Sequence, residues 1–168
     1  MTRFFAQPYD IAASGFYFED QEGFERQIGN IRNDYGQPVE EFEIQFIDGE
    51  AIDCAFANAW GINQANIIRF LEVLDSWEDH EKLRFIIAVG ECGYNFDPDT
   101  ASADDYDVDI YGEESLRELA ERFVEEGLFG DIPEALCFYI DLDAIARDLS
   151  ADYAEIEIAG ERMVYRCG

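Results

Sequence analysis

The chain has 168 residues, of which 39 are Asp or Glu and 11 are Lys or Arg, so its formal net charge is −28 with the one histidine neutral. Yet 48% of the residues are hydrophobic and 15% are aromatic, which is enough apolar material for a packed core and excludes an acidic disordered tail. The negative charge also argues against direct binding of nucleic acid or of anionic membranes, because both require a basic patch.

The sequence indicates a cytoplasmic protein. No apolar run approaches the roughly 18 residues that a membrane-spanning helix needs, and the N-terminal residues lack the apolar stretch and cleavage site of a secretory signal. The cysteines lie far apart and form no C-x-x-C pair, so we expect free or buried thiols and no zinc site. They are Cys54, Cys92, Cys137 and Cys167.

The N-terminal part predicts two strands, a helix and a third strand. Aromatic-rich segments at residues 3–6 and 15–18 are typical of strands. Apolar residues at helical spacing follow across residues 24–31. Residues 41–47 then alternate between apolar and polar side chains, which predicts a half-buried strand with an acidic outer face.

The middle part is predicted to be helical. Asn63 is a suitable N-cap for a helix that runs to about Asp75. A second helix is expected to begin near Ser76 and to run through Val89. Residues 95–105 are rich in Asn, Asp and Pro, so they are a plausible segment boundary.

The last part predicts a strand at residues 106–111 and then a helix. The motif at 115–118 (Ser-x-x-Glu) is a capping box that opens this helix, which should end at Glu126 before a glycine. A short helix is expected at residues 142–149. Residues 154–165 alternate as a hairpin does, with Ala159 and Gly160 at the turn.

These elements predict an α+β fold that is elongated and made of three small segments, with antiparallel strands and short helices flanking a helical middle. The predicted domains are residues 1–58 (α+β), 59–103 (mainly helical) and 104–168 (α+β). Their net charges are −9, −5 and −14, a distribution that neither a local metal site nor a single acidic tail would produce. The total equals the charge on about 48 Å of duplex DNA. Because such crowding of like charges opposes folding, it indicates either a high-salt environment or a function for the charge.

Asp105, Asp107 and Asp109 imitate the start of a calcium-binding loop. That loop requires Gly at its sixth position and Glu at its twelfth, where this chain has Ile110 and Leu116. On a strand the three aspartates would instead share one solvated face. We therefore predict no bound metal or other cofactor, and a metal-dependent activity is the least favoured alternative.

Catalytic motifs are missing from the sequence, which has no phosphate-binding loop, no G-x-S-x-G elbow and no H-E-x-x-H. His80 lies in a charged helix start and is expected to be a surface residue. We therefore expect no enzyme activity. Two interpretations of the charge stay open: halophilic adaptation, in which acids hydrate the surface, and imitation of a nucleic acid. The aromatic content counts against simple hydration.

The C-terminal third resembles the ArdA antirestriction family. The resemblance rests on Glu125-x-Gly-x-x-Gly-x-Ile-Pro133 after an acidic helix, then Tyr139-Ile-Asp, and then Arg147-Asp-Leu. These elements occur in the family's order, and the ordered combination is fairly specific. Residues 40–50 also look like the family's E-E-W-A-I-H-D-Y-E strand, with Phe42 in place of its tryptophan.

The resemblance implies an elongated, acidic homodimer that imitates bent B-form DNA. Members of this family occupy the DNA-binding groove of the methyltransferase core of type I restriction–modification enzymes, often inhibit modification as well as restriction, and are carried by mobile genetic elements. The resemblance therefore implies a non-catalytic inhibitor that binds no nucleic acid directly. It also implies that the segment around the family's antirestriction motif helps to form the dimer contact.

We accordingly expect two sets of functional residues. The partner-binding acidic surface is predicted to comprise Glu41, Glu43, Asp48, Glu50, Asp105, Asp107, Asp109, Glu114, Glu118, Glu121, Glu125, Glu126, Asp131 and Glu134. Within it, Glu114, Glu118, Glu121 and Glu125 are expected to form one stripe on the solvent face of a helix. The dimer contact implied by the resemblance comprises Gly127, Leu128, Phe129, Gly130, Ile132 and Pro133.

Overall fold

The structure is a computed structural model that describes residues 1–112 and 114–168, and it confirms the predicted α+β class. The chain divides into two compact units, Met1–Asp105 and Tyr106–Gly168. Each unit contains a three-stranded antiparallel sheet. The three-part division with boundaries near residues 58 and 103 stays a prediction. Among the described residues, no helix is both long enough and apolar enough to cross a bilayer.

The sheet of the first unit has the order β2-β1-β3, so the first strand lies in the centre. Its strands are β1 (Arg3–Pro8), β2 (Phe16–Phe18) and β3 (Phe42–Asp48), and all three were predicted. Alternate residues of β1 are buried, with Phe4 and Ala6 fully inside. This alternation follows from the pleat, which directs successive side chains to opposite faces of the sheet.

Helices pack on the buried face of this sheet and form a largely aromatic core. The helical elements are α1 (Gln21–Ile28), α2 (Ala51–Trp60), α3 (Ile67–Ser76), α4 (Asp79–Phe85), a π-helical turn (Ile86–Glu91) and a 3₁₀ turn (Ala103–Asp105). Phe56 lies with its ring centroid 5.2 Å from that of Phe70 and 5.3 Å from that of Phe85. Phe70 also meets Phe4 edge-on at 6.1 Å, which joins the helices to the sheet.

Three predicted boundaries in this unit are wrong. Ser76 does not open the second predicted helix, because it is the last residue of α3, and α4 begins at Asp79 after a capping box formed by Glu78 and Glu81. The helix expected from Asn63 begins at Ile67, because the side chain of Asn63 accepts the N–H groups of Ala65 and Asn66 and holds a turn ahead of the helix. The helical spacing read across residues 24–31 ends earlier, since α1 stops at Ile28. Helix α2 was not predicted at all.

The sheet of the second unit has the order β4-β6-β5, with strands β4 (Val108–Gly112), β5 (Ala154–Ile158) and β6 (Glu161–Cys167). The hairpin turn at Ala159 and Gly160 was predicted, and both residues have positive φ, 53° and 83°. Positive φ at both central positions is the requirement of the two-residue turn that matches the twist of paired strands.

One helix packs its buried face on this second sheet, and a second helix contacts the first. The helical elements are α5 (Leu116–Glu125), a 3₁₀ helix (Glu134–Tyr139) and α6 (Leu142–Leu149). The predicted capping box at Ser115 and the predicted bounds of α6 are confirmed. The buried centre of the unit is formed by Leu119 and Phe123 of α5 against Val164 of β6.

The expectation of four free thiols holds for Cys54, which is half-buried, and for Cys137, which is exposed. It is wrong for Cys92 and Cys167, which are disulfide-bonded. The wide spacing of the cysteines along the chain gave no sign of these disulfide bonds, because a disulfide depends on how the fold places the sulfur atoms.

Candidate functional site

The acidic residues predicted in the first half of the chain lie on and beside β3, and all of them are exposed. These residues are Glu41, Glu43, Asp48 and Glu50. Phe42 and Ile44, which alternate with the glutamates, are buried. Glu41 and Glu43 therefore lie on the solvent face, because the other face of the strand enters the aromatic core. The side chain of Asp48 accepts the N–H of Gly49 at 3.0 Å, which fixes one carboxylate at the end of the strand.

Asp105, Asp107 and Asp109 are exposed. Asp105 accepts the backbone N–H of Ser102 at 3.2 Å and closes the 3₁₀ turn of the first unit. In the second unit, Asp107 and Asp109 flank Val108, which is buried at the start of β4. Among the described residues there is no group of three or more His, Cys, Asp or Glu side chains that could hold a metal ion.

Helix α5 carries an acidic stripe of exposed residues, Glu118, Glu121 and Glu125. Its opposite face is buried through Leu119 and Phe123. Because α-helical rise is about 1.5 Å per residue, the stripe extends over about 10 Å. Glu118 also closes the capping box, since its carboxylate accepts the N–H of Ser115 at 2.7 Å. That bond and, as the smaller cause, a hydrogen bond between the Ser115 side chain and the carboxylate hold the pKa of Glu118 below its ordinary value.

Glu114 does not belong to this stripe, and the prediction that placed it there is wrong. It precedes Leu116, the first residue of α5, and it is half-buried. Arg122 pairs with Glu114 at 2.9 Å and with Glu126 at 2.9 Å, and its guanidinium lies over the ring of Tyr111. These bonds, with Glu126 first, raise the pKa of Arg122. Arg122 therefore offsets charge at Glu114 and Glu126.

The segment after α5 combines two glycines of positive φ with exposed apolar side chains. Gly127 and Gly130 have φ of 78° and 89°, a conformation that other residues adopt at a cost. Ile132 is half-buried, whereas Pro133, Asp131 and Glu134 are exposed. Large side chains in this segment are unusually open to solvent, and we name them the apolar patch: Leu128 (60% exposed), Phe129 (55%), Leu136 (54%), Phe138 (94%) and Tyr139 (84%).

The last three members of the apolar patch were not predicted as functional residues. They lie in the 3₁₀ helix, in which no residue is buried. A cavity of about 490 Å³ lies beside this helix, and its walls include the carboxylates of Glu121, Glu125 and Asp131 together with Ile132 and Cys137. A cluster of exposed Leu, Phe and Tyr side chains is typical of a protein–protein contact. The only available sequence signal was a run of apolar residues without helical or strand periodicity.

Cations do not neutralise the surface. Residues 1–105 hold 22 acids and 6 bases, and residues 106–168 hold 17 acids and 5 bases, so the two units carry net charges of −16 and −12. Several bases are already engaged: Arg69 with Glu72 at 3.0 Å, Arg117 with Asp143 at 3.0 Å, and Arg3 over an aromatic ring. Both units are therefore strongly anionic at neutral pH.

Thirteen of the fourteen predicted acidic residues are thus exposed, and three of them, Glu121, Glu125 and Asp131, also line the cavity beside the 3₁₀ helix. In the first unit the predicted residues lie on and beside β3 and at the 3₁₀ turn, and in the second unit they lie on and beside β4, along helix α5 and in the segment after it. Carboxylates spread over each unit suit contact with a basic surface better than chemistry at one point. Their role in binding stays a prediction.

The family described as "Antirestriction protein (ArdA)" matches residues 13–160, which is most of the chain. A comparison with curated proteins found no match.

Proposed function

Because the chain belongs to the ArdA family of antirestriction proteins, we propose that it inhibits type I restriction–modification enzymes by imitating DNA. Its exposed carboxylates stand where DNA phosphates would stand, in the DNA-binding groove of the methyltransferase core. Members of the family are inhibitor proteins that interact with restriction enzymes. What we propose beyond this is that the target is a type I enzyme, that the protein binds in its DNA-binding groove, and that it does so by imitating DNA. It requires no catalytic residue and no cofactor.

One observation supports the proposal most strongly. Of the fourteen acidic residues predicted from sequence to face a partner, thirteen are exposed and Glu114 is half-buried. They occur in both units, each of which is anionic in total. A local binding site would need carboxylates to converge, whereas imitation of a duplex needs them to be spread.

The proposed mechanism is electrostatic. A groove that holds DNA presents Arg and Lys side chains together with their associated counter-ions. The carboxylates on β3 and along α5 would pair with those cations, displace the counter-ions and exclude the duplex. A surface of one sign also accelerates encounter with a surface of the other sign, so association should be fast at low ionic strength.

We also propose that the active form is a homodimer joined through the segment from Gly127 to Tyr139. The apolar patch supports this, since aromatic and aliphatic side chains exposed in one short segment are favoured at contacts between copies. A dimer would double the number of carboxylates available to one enzyme. The left-handed backbone at Gly127 and Gly130 fixes the path of the chain between α5 and the 3₁₀ helix.

A competition assay tests the proposal. A labelled duplex that contains the recognition site is bound to a purified type I methyltransferase core, and the protein is added in increasing amounts. We expect displacement of the duplex and loss of methyl transfer at the same concentrations. An unstructured acidic polypeptide of equal net charge serves as the control and should displace much less. If the protein leaves the duplex bound while the enzyme remains active, imitation of DNA is the wrong explanation.

A further inference from the structure

Three large side chains are exposed at one end of the N-terminal sheet. Tyr9 and the fully exposed Ile11 lie in the connection from β1 to β2, and the exposed Tyr35 lies in the turn between α1 and β3. A single exposed apolar side chain is ordinary. Three exposed large side chains on two neighbouring loops are unusual and indicate a contact surface.

The two loops are held together by hydrogen bonds. The N–H of Asp34 donates to the carbonyl of Ala12 at 2.8 Å, and the side-chain amide of Asn33 donates to the Asp10 carboxylate at 2.9 Å. The other oxygen of that carboxylate accepts the N–H of Ala12 at 2.9 Å. These bonds lower the pKa of Asp10, with the bond from Asn33 as the larger cause. The loops are therefore tied to each other at two points.

The turn that carries Tyr35 is also fixed internally. The side-chain oxygen of Asn33 accepts the backbone N–H groups of both Tyr35 and Gln37 at 3.0 Å and 2.9 Å. A side chain presented on a backbone that is already ordered loses less conformational entropy when a partner covers it. Tyrosine is one of the residues that most often dominate binding energy at protein contacts.

The surroundings of these side chains indicate the partner. The N–H of Tyr9 donates to the carbonyl of Glu41 at 3.1 Å, so the loops adjoin the acidic strand of the proposed DNA-mimicking surface. Asp34 and Glu41 are exposed beside them. Such a combination complements a basic surface that also has an apolar recess, and it would be repelled by an acidic one.

We propose that Tyr9, Ile11 and Tyr35 form an apolar anchor that inserts into a recess within the basic DNA-binding surface of the target restriction enzyme. The inference rests on the proposed function and adds a contact that DNA phosphates cannot supply. Carboxylate contacts weaken as salt screens them, whereas burial of apolar area does not depend on screening. The anchor therefore gives the complex a part of its affinity that persists at high ionic strength.

The test compares the intact protein with a variant in which Tyr9, Ile11 and Tyr35 are all replaced by serine. The equilibrium dissociation constant for the methyltransferase core is measured over a series of salt concentrations. We expect the triple variant to bind roughly tenfold or more weakly at every salt concentration, with the slope of log Kd against log salt unchanged. Ile47→Ser is the matched control, because Ile47 is exposed at the opposite end of the same sheet.

Each outcome is decisive. Equal affinity of the triple variant, or a changed salt slope, overturns the anchor, while displacement of DNA by the intact protein still upholds the proposed function. If the intact protein binds no enzyme, both fall. Loss of dimerisation in the triple variant, seen by sedimentation, would identify a second copy as the occupant and also overturn the anchor. Should the triple variant unfold, the single Ile11→Ala variant gives the same comparison, because that side chain is fully exposed.

Discussion

Lys82 donates a hydrogen bond from Nζ to Oδ1 of Asp53 at 2.8 Å, and both side chains are about nine-tenths buried. The second carboxylate oxygen of Asp53 accepts the hydroxyl of Thr2 at 3.1 Å. The pair joins α2 to α4, and the threonine links both to the beginning of β1. The chain has one lysine, and it is used inside the fold rather than on the surface.

Replacing that lysine should destabilise the first unit strongly. In the Lys82→Met variant, Asp53 would be left as a buried carboxylate without its counter-charge, and breaking one side of a buried pair costs about 3–5 kcal/mol. We expect a loss of that size in the free energy of unfolding, measured by urea denaturation. The double variant Asp53→Leu/Lys82→Met should recover a large part of it, because no unpaired charge remains.

A matched exposed pair provides the control for this experiment. Arg117 and Asp143 also form an ion pair, at 3.0 Å, but their side chains are 59% and 69% exposed. Arg117→Ala should change the free energy of unfolding by less than about 1 kcal/mol. Similar losses for the two variants would mean that burial does not set the value of the Lys82 pair.

Capping residues and hydrophobic periodicity predicted many of the helices and strands. They did not predict an element whose stability comes mainly from tertiary packing. Helix α6 and the start of α5 were predicted because their sequences carry capping residues and clear periodicity. Helix α2 was missed because its N-cap, Glu50, makes no side-chain capping bond. Its stability comes instead from the burial of Phe56 and Trp60 among aromatic rings of other elements, such as Phe70 and Phe85.

The same packing explains the high aromatic content, which the sequence alone left ambiguous. Many of the Phe and Trp rings pack against each other in the first unit, so a dense apolar centre opposes the repulsion among surface acids. The exposure of the glutamates on and beside β3 could be predicted from the alternation of apolar and polar residues along the strand. The burial of Glu114 could not, since it depends on the approach of Arg122 from α5.

The response to salt separates imitation of DNA from halophilic adaptation. If the acids serve to bind a partner, the protein should already be folded at about 0.01 M salt, where screening is weak. Urea should then unfold it in a cooperative transition. Added salt should then raise the free energy of unfolding gradually, because it screens repulsion among 28 net negative charges. Urea denaturation followed by circular dichroism gives both results. A chain that folds only in molar salt would instead support the halophilic interpretation.

Glu118 should make the stability of α5 depend on pH. Its pKa is lower in the folded protein than its ordinary value of 4.5, so the stabilisation is complete above that value and is lost as the pH falls through the folded pKa. Glu118→Gln keeps an acceptor for the N–H of Ser115 but cannot titrate. The difference in urea midpoint between the intact protein and this variant should therefore shrink between about pH 7 and about pH 3. A constant difference would show that the charge of Glu118 does not stabilise the cap.

Charge removal should weaken inhibition gradually. A single exposed change such as Glu121→Gln should cost less than about 1 kcal/mol of binding, because neighbouring carboxylates remain. Triple amide variants at Glu41, Glu43 and Glu50, or at Glu121, Glu125 and Glu134, should weaken DNA displacement to similar extents and reduce its salt dependence alike. If a single substitution, or only one of the two triple variants, abolished DNA displacement, the binding site would be local rather than spread over the surface.

The apolar patch should control the oligomeric state. Phe138 and Tyr139 are 94% and 84% exposed in the single chain, and full burial of such a side chain contributes about 1.5–3 kcal/mol. In the Phe138→Ser/Tyr139→Ser variant, the dissociation constant of the proposed dimer should rise by roughly a hundredfold or more, as measured by sedimentation equilibrium. Tyr35→Ser, which removes an equally open ring from the first unit, should leave dimerisation unchanged.

The two variants also separate the dimer from binding to the enzyme. If the dimer is needed to span the DNA-binding groove, the Phe138→Ser/Tyr139→Ser variant should displace DNA poorly at low concentration and regain activity as its concentration approaches the new dissociation constant. Tyr35→Ser should weaken displacement at all concentrations, because the loss lies in each copy's own contact. A variant that is monomeric yet displaces DNA as well as the intact protein would show that one copy is sufficient.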